Sequence, residues 1–146
     1  MFAELDKDDG NFIATLYDVA ANGKRTLVSR GYLRASHRAV DASRSKPGRP
    51  FHPHRTTEPV QPGRIEEYQI KISPLSNYFR PGHIIELEIA TSDAYGLTEE
   101  TTGFSAVVED KMNAMGILPS SQLIYYKLHR SPRYPSHLLL PVIPDR

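Results

Sequence analysis

Twelve prolines punctuate this chain of 146 residues. Each fixes its own φ and removes a backbone donor, so the chain is set against long helices and toward short extended segments joined by turns. The stretches between the prolines agree. "FIATLYDV", residues 12–19, is rich in strand formers, and Asn22-Gly23 just beyond it is a hairpin signal, since both residues tolerate positive φ. "RTLVSRGYL" supplies the returning strand. Residues 34–63 then show neither a helical nor a strand period and read as a long loop. Inside a compact domain such a loop is either functional or a connection that crosses the surface.

"IEEYQIKIS", residues 65–73, sets Glu66, Tyr68, Ile70 and Ile72 against Ile65, Glu67, Gln69 and Lys71, the alternation of a half-buried strand. "RPGH", residues 80–83, is a turn with Gly82 at positive φ. "IIELEIATS" follows, with Ile85, Leu87 and Ile89 inward and Glu86 and Glu88 outward. Residues 93–119 are less regular, and "VVEDKMNAMGI" fits either a short helix or a bulged strand. "SQLIYYKLHR" is a further strand, and "SHLLLPVIP" is a last apolar run ended by proline. The expectation is one all-β domain over residues 1–146, an antiparallel sandwich. A fold of this size buries roughly 68–70% of its unfolded surface, enough for a core of its own.

Composition removes several functions. A net charge of +1 gives no global field to steer nucleic acid or an anionic membrane. With no cysteine there is no disulfide framework, thiolate zinc site or Cys nucleophile. The acidic start "MFAELDKDDG" lacks the pattern of a signal peptide, and no apolar run approaches the ~20 residues of a membrane span. A cytoplasmic chain without membrane or nucleic-acid partners is expected.

Four constellations invite a chemical reading. From Arg30 to Arg55 there are seven Arg and Lys residues against one acid, Asp41. Nucleic-acid binding would want interleaved aromatics, and only Tyr32 and Phe51 offer them. The plainer reading is a loop whose arginines pair with acids elsewhere. His52 and His54 could share a face of an extended segment, but a metal site needs three or four ligands, so distant groups would have to complete it and none is expected. A serine hydrolase needs a G-x-S-x-G elbow; "GFSAV", with Gly103 and Ser105, lacks the second glycine. No G-x-G-x-x-G, P-loop or H-E-x-x-H occurs. Glu66 and Glu67 point to opposite faces of a strand and cannot flank one glycosidic bond. No catalytic, cofactor-binding or metal-binding residue is assigned.

One ordered series of segments goes further. "LYDV" at 16–19, the "NG" turn, "RGYLRASHR" at 30–38, "PGRPFHPH" at 47–54, "EYQIKISPLSNYFRPGHIIELEIATSD" at 67–93 and "PSHLLLPVIP" at 135–144 span nearly the whole chain. The series resembles the C-terminal β-domain of the X-Pro dipeptidyl-peptidase and cocaine-esterase group of serine hydrolases. The resemblance implies a jelly-roll sandwich similar to galactose-binding-like domains. It also implies a catalytic α/β-hydrolase domain as partner, in the same chain or a separate one, which supplies the Ser, Asp and His of the triad. None of those positions falls in this region. The implied role is accessory: packing, shaping the active-site rim, or oligomerisation, for a hydrolase of acyl or Xaa-Pro bonds.

Arg34, in the "LRAS" piece, is expected to satisfy buried carbonyls or a carboxylate, with Asp18 and Asp93 as candidates. Relative to the family the chain is expected to lack one or two leading strands, and residues 94–119 lack its "FPR…N" pattern. An uncovered edge at the N-terminal strand would then favour a homo-oligomer. A carbohydrate-binding module, stacking sugar on Tyr32, Tyr78 and Tyr95, is the alternative from another class; fold analogy alone is a weak warrant for it.

Overall fold

A computed structural model describes residues 1–74, 76–91 and 123–143. Among these residues seven strands run in chain order: β1 Phe2–Leu5, β2 Asn11–Val19, β3 Arg25–Arg34, β4 Glu66–Glu67, β5 Ile84–Ala90, β6 Tyr126–Ser131 and β7 Tyr134–Pro135, with one 3-10 turn at Ala35–His37. They form two antiparallel sheets, ordered β4-β1-β6-β7 and β3-β2-β5. Ala3 and Leu5 of the first sheet and Phe12 and Leu33 of the second share one buried cluster with Ala35, Val60 and Tyr68. The Phe12 ring lies 4.6 Å from that of Tyr68 and 5.4 Å, edge-on, from that of Tyr126. The chain is the all-β sandwich that its punctuation by proline required. No helix among the described residues is long and apolar enough to cross a membrane.

The β2–β3 hairpin closes as expected in place but not in type. Gly23 N–H donates to Ala20 O at 2.8 Å and Ala20 N–H to Lys24 O at 2.9 Å. Gly23 takes φ +81° while Asn22 keeps negative φ, so a type I turn followed by a left-handed glycine makes the bend. The Arg80–His83 turn carries its hydrogen bond at 3.0 Å with Gly82 at φ +81°.

Residues 65–73 depart from the single strand expected. Their alternation holds: Tyr68 is buried, Ile70 and Ile72 are half-buried, and Glu67, Gln69 and Lys71 are exposed. The ladder, however, is limited to Glu66–Glu67, opposite Ala3 and Phe2 of β1. Five residues on, Ile72 bridges Gly31 of β3, and Ser73 N–H donates to Arg30 O at 2.8 Å. The segment leaves one sheet and joins the other, and a chain that turns such a corner must break its ladder. Gly31 permits the crossing, because a Cβ there would stand 2.8 Å from the Lys71 carbonyl carbon.

Two further expectations change. The N-terminal strand is not an open edge. β1 has β4 on one side and β6 on the other, and β2 lies between β3 and β5, with Ile13 and Thr15 buried. Residues far along the chain supply the neighbours, which removes the basis for self-assembly through that strand. On β5, register places Ile89, Leu87 and Ile85 opposite Ala14, Leu16 and Asp18, on the Phe12 side as expected. Ile89 packs on the core cluster, yet Leu87 and Ile85 remain 37% and 45% exposed. Burial declines along β5 away from the Phe12–Leu33 end. Asp93, Tyr95, the Gly103–Ser105 segment and the ambiguous run at 107–117 lie outside the described residues.

Candidate functional site

The basic stretch runs off the end of β3 and is fastened piece by piece. Asp9, just before β2, is the first anchor. Its Oδ2 accepts Arg34 Nε–H at 2.6 Å and Ser36 Oγ–H at 2.7 Å, and its Oδ1 accepts Ser36 N–H at 2.9 Å and Gly10 N–H at 2.8 Å. Burial pushes this carboxyl upward. The Ser36 hydroxyl and N–H, Arg34 and the Gly10 N–H outweigh it and hold Asp9 below its ordinary range. Arg34 therefore does bind a carboxylate, that of Asp9; of the two named candidates, Asp93 lies outside the described residues. Asp18 is engaged elsewhere, 2.7 Å from His83 Nδ1.

Arg38 is the second anchor. Its Nη1–H donates to Glu58 O at 2.5 Å and Ala35 O at 3.4 Å, and its guanidinium lies 3.9 Å from Glu66 and 4.0 Å from Glu58. Arg44 stacks over Phe51 at 3.6 Å, which consumes one of the two aromatics that a nucleic-acid surface would have used. Asp41 accepts from Ser43 N–H and Oγ–H at 3.0 and 2.6 Å. The stretch is thus a crossing loop that binds itself to the sandwich with its own cations, as the plainer reading supposed.

The histidines end up close together. His52 is wedged between two carbonyls, with Nδ1 3.0 Å from Ala39 O and Nε2 2.8 Å from Gln69 O. His54 lies 5.8 Å from it, ring to ring, so the two do share a side. The reading missed His37, whose Nδ1 is 3.2 Å from His54 Nδ1. Seventeen residues separate the pair and no periodicity links them, so only the folded loop shows it. Partial desolvation of its ring first, then the neighbouring His37 and His52, lowers the His54 pKa below the usual histidine value. Among the described residues no group of three or more His, Asp or Glu suits a metal ion.

The other named residues that are described lie apart from one another. Glu66 pairs with Arg64 at 3.2 Å while Glu67 is exposed, on opposite faces as expected. Tyr32 is half-buried on β3 and Tyr78 is largely exposed ahead of β5. An open groove of about 430 Å³ beside β1 and β6 is lined by Leu5, Pro62, Tyr125 and Tyr126 among others. Of its three charged members, Glu4 and Lys127 pair at 2.9 Å, and Asp6 Oδ1 accepts Tyr125 N–H at 2.8 Å. The geometry is that of a scaffold whose polar groups serve one another.

Comparison with known proteins gives the same answer. Residues 1–138 match the family model described as the X-Pro dipeptidyl-peptidase C-terminal non-catalytic domain. Proteins named as serine esterases from Mycobacterium bovis and Mycobacterium tuberculosis are each 34% identical over 99 residues, covering 64% of this chain and 16% of theirs. The cocaine esterase of a Rhodococcus species is 23% identical over 143 residues, covering 98% of this chain and 22% of its own. The chain thus spans about a fifth or less of the length of these relatives. No solved structure matches. A sandwich without a catalytic constellation among its described residues, matched along nearly its whole length, belongs to the family of X-Pro dipeptidyl-peptidase C-terminal non-catalytic domains.

Proposed function

We propose that this chain is the accessory sandwich of a serine hydrolase acting on acyl or Xaa-Pro bonds, and that it packs against the α/β-hydrolase portion that carries the triad. The observation behind this reading is the run that follows β7. Leu139, Val142 and Ile143 stand 65, 83 and 86% exposed within five residues, outside any strand. Isolated apolar side chains on a surface are ordinary, but a cluster of large ones marks a surface meant for a partner. The relatives' names supply the partner's chemistry, since the remaining four-fifths of each such protein has room for a hydrolase domain.

The test begins at the gene, with a reading frame bearing G-x-S-x-G beside or continuous with this one. The purified catalytic portion and this chain should associate. Leu139→Ser with Val142→Ser and Ile143→Ser should weaken that association by about tenfold or more and leave the melting of the chain unchanged. A hydrolase portion that ignores this triple variant, or the absence of such a frame, would count against the proposal.

A further inference from the structure

The His37–His54 pair is unexplained by an accessory role. Two Nδ1 atoms that face each other at 3.2 Å can be bridged by a proton or by a metal ion, and the geometry tells the two apart. Two metal–nitrogen bonds of about 2.0–2.1 Å meeting at about 100° set their nitrogens about 3.2 Å apart, between square-planar and tetrahedral angles. Rings behind such nitrogens have centroids about 5.0 Å apart, against about 5.5 Å for rings meeting head-on along an N–H···N line. The centroids here are 5.2 Å apart. The pair lies between the two arrangements, so that a small rotation of one ring converts either into the other.

The surroundings favour a built feature. His54 holds φ +51° and is the one non-glycine residue with positive φ among those described, an uncommon conformation that aims its ring back at the 3-10 turn. His52, held by a hydrogen bond from its protonated ring nitrogen to one of the flanking Ala39 and Gln69 carbonyls, lies 5.8 Å from His54 ring to ring. Of the two cations adjacent to the pair in sequence, Arg38, next to His37, is drawn off onto Glu58 and Glu66, and Arg55, next to His54, is exposed to water. His54 is exposed, which leaves the outer face of the pair to water.

We propose that His37 and His54 form a two-point clip for a divalent transition ion that prefers imidazole, Cu²⁺ above Ni²⁺ or Zn²⁺. Water completes the coordination shell, since no third His, Asp or Glu among the described residues joins the pair. On binding, the bridging hydrogen moves to Nε2 by exchange with solvent, and both Nδ1 lone pairs turn to the ion. The ion then fastens residue 54 to the 3-10 turn and closes the crossing loop.

The test is titration of the full chain with each chloride salt, followed by calorimetry and thermal melting. One equivalent of Cu²⁺ should bind with a rise in melting temperature, Ni²⁺ and Zn²⁺ more weakly, and Mg²⁺ and Ca²⁺ not at all. The electron paramagnetic resonance spectrum of the Cu²⁺ form should show two coordinated imidazoles. His54→Asn, which tolerates the left-handed backbone, should weaken binding about tenfold or more; His137→Asn, on an exposed side chain elsewhere, should not. No saturable uptake by the wild-type chain, uptake unchanged in His54→Asn, or a one-imidazole spectrum would each overturn the clip and leave a proton bridge.

Discussion

Asp9 and Arg34, twenty-five residues apart, meet at 2.6 Å where the β2–β3 hairpin opens into the crossing loop. The pair is mostly buried and shares its carboxylate with two backbone N–H groups and a hydroxyl. Arg34→Ala should cost about 1.5–3 kcal/mol, the value of a charge-assisted hydrogen bond. Asp9→Ala should cost roughly 1 kcal/mol more, because Ser36 and Gly10 lose their acceptor as well. Arg44→Ala removes an arginine stacked on Phe51 and should cost only about 0.5–1 kcal/mol. Urea denaturation checks the order; equal losses for Arg34 and Arg44 would show that the Asp9 network does not hold the loop.

The same carboxylate sets a pH dependence. Its folded pKa lies below the ordinary 3.8, so its contribution is complete above that value and is lost as pH falls through the lower, folded one. Stability attributable to Asp9 should thus be flat through neutral pH and decline only below about pH 4. Asp9→Asn, which no longer titrates, should flatten this part of the acid limb in melts taken at successive pH values.

Gly31 gives a steric prediction. The Cβ of Gly31→Ala would press on the Lys71 carbonyl group and sit 3.0 Å from Ile72 Cα, both backbone and neither free to swing aside. A loss of about 1–3 kcal/mol is expected. Gly23→Ala, at φ +81° with open space around it, should cost about 1 kcal/mol from backbone conformation alone. Chemical denaturation of the two variants separates crowding from conformation.

Tyr68 gives a prediction of opposite sign. Its ring is fully buried in the core cluster, while its hydroxyl has no hydrogen-bond partner, and burial pushes its pKa up to about 12. Tyr68→Phe keeps the ring packing and removes the unsatisfied group, so stability should be unchanged or rise by about 1 kcal/mol. A clear fall in the denaturation midpoint would reveal a partner for the hydroxyl.

The local features were readable from the chain itself. The hairpin and the Arg80–His83 turn are specified by four or five adjacent residues, and the alternation of Tyr68, Ile70 and Ile72 survives because side-chain direction follows the extended backbone whether or not it is paired. The sheet change at residues 68–72 is different in kind, since it depends on where β1 and β3 lie. The partner of Arg34 lies between these cases. The ladder sets Arg34 opposite Asn11 and Asp18 opposite Thr26, so Asp18 sits toward the closed end of the hairpin, out of reach of Arg34. Running the register back from Asn22-Gly23 would have pointed to the residues just before Asn11, which include Asp9. The His37–His54 pair had no such route, because residues 38–53, between them, have no repeat from which to count.

The place of β1 in its sheet bears on the order of assembly. β2 and β3 adjoin through a short loop and can zip together as soon as both exist. β1 must wait: its neighbours are β4, just beyond which the Tyr68 carbonyl accepts from the Met1 amino group 67 residues away, and β6, beyond which Ser136 Oγ accepts from Phe2 N–H across 134 residues. Contacts so remote in sequence carry a large loop-closure cost and form late. The hairpin sheet should acquire amide protection early in refolding, while the amides of Phe2–Leu5 stay open until the far end of the chain arrives to lock them.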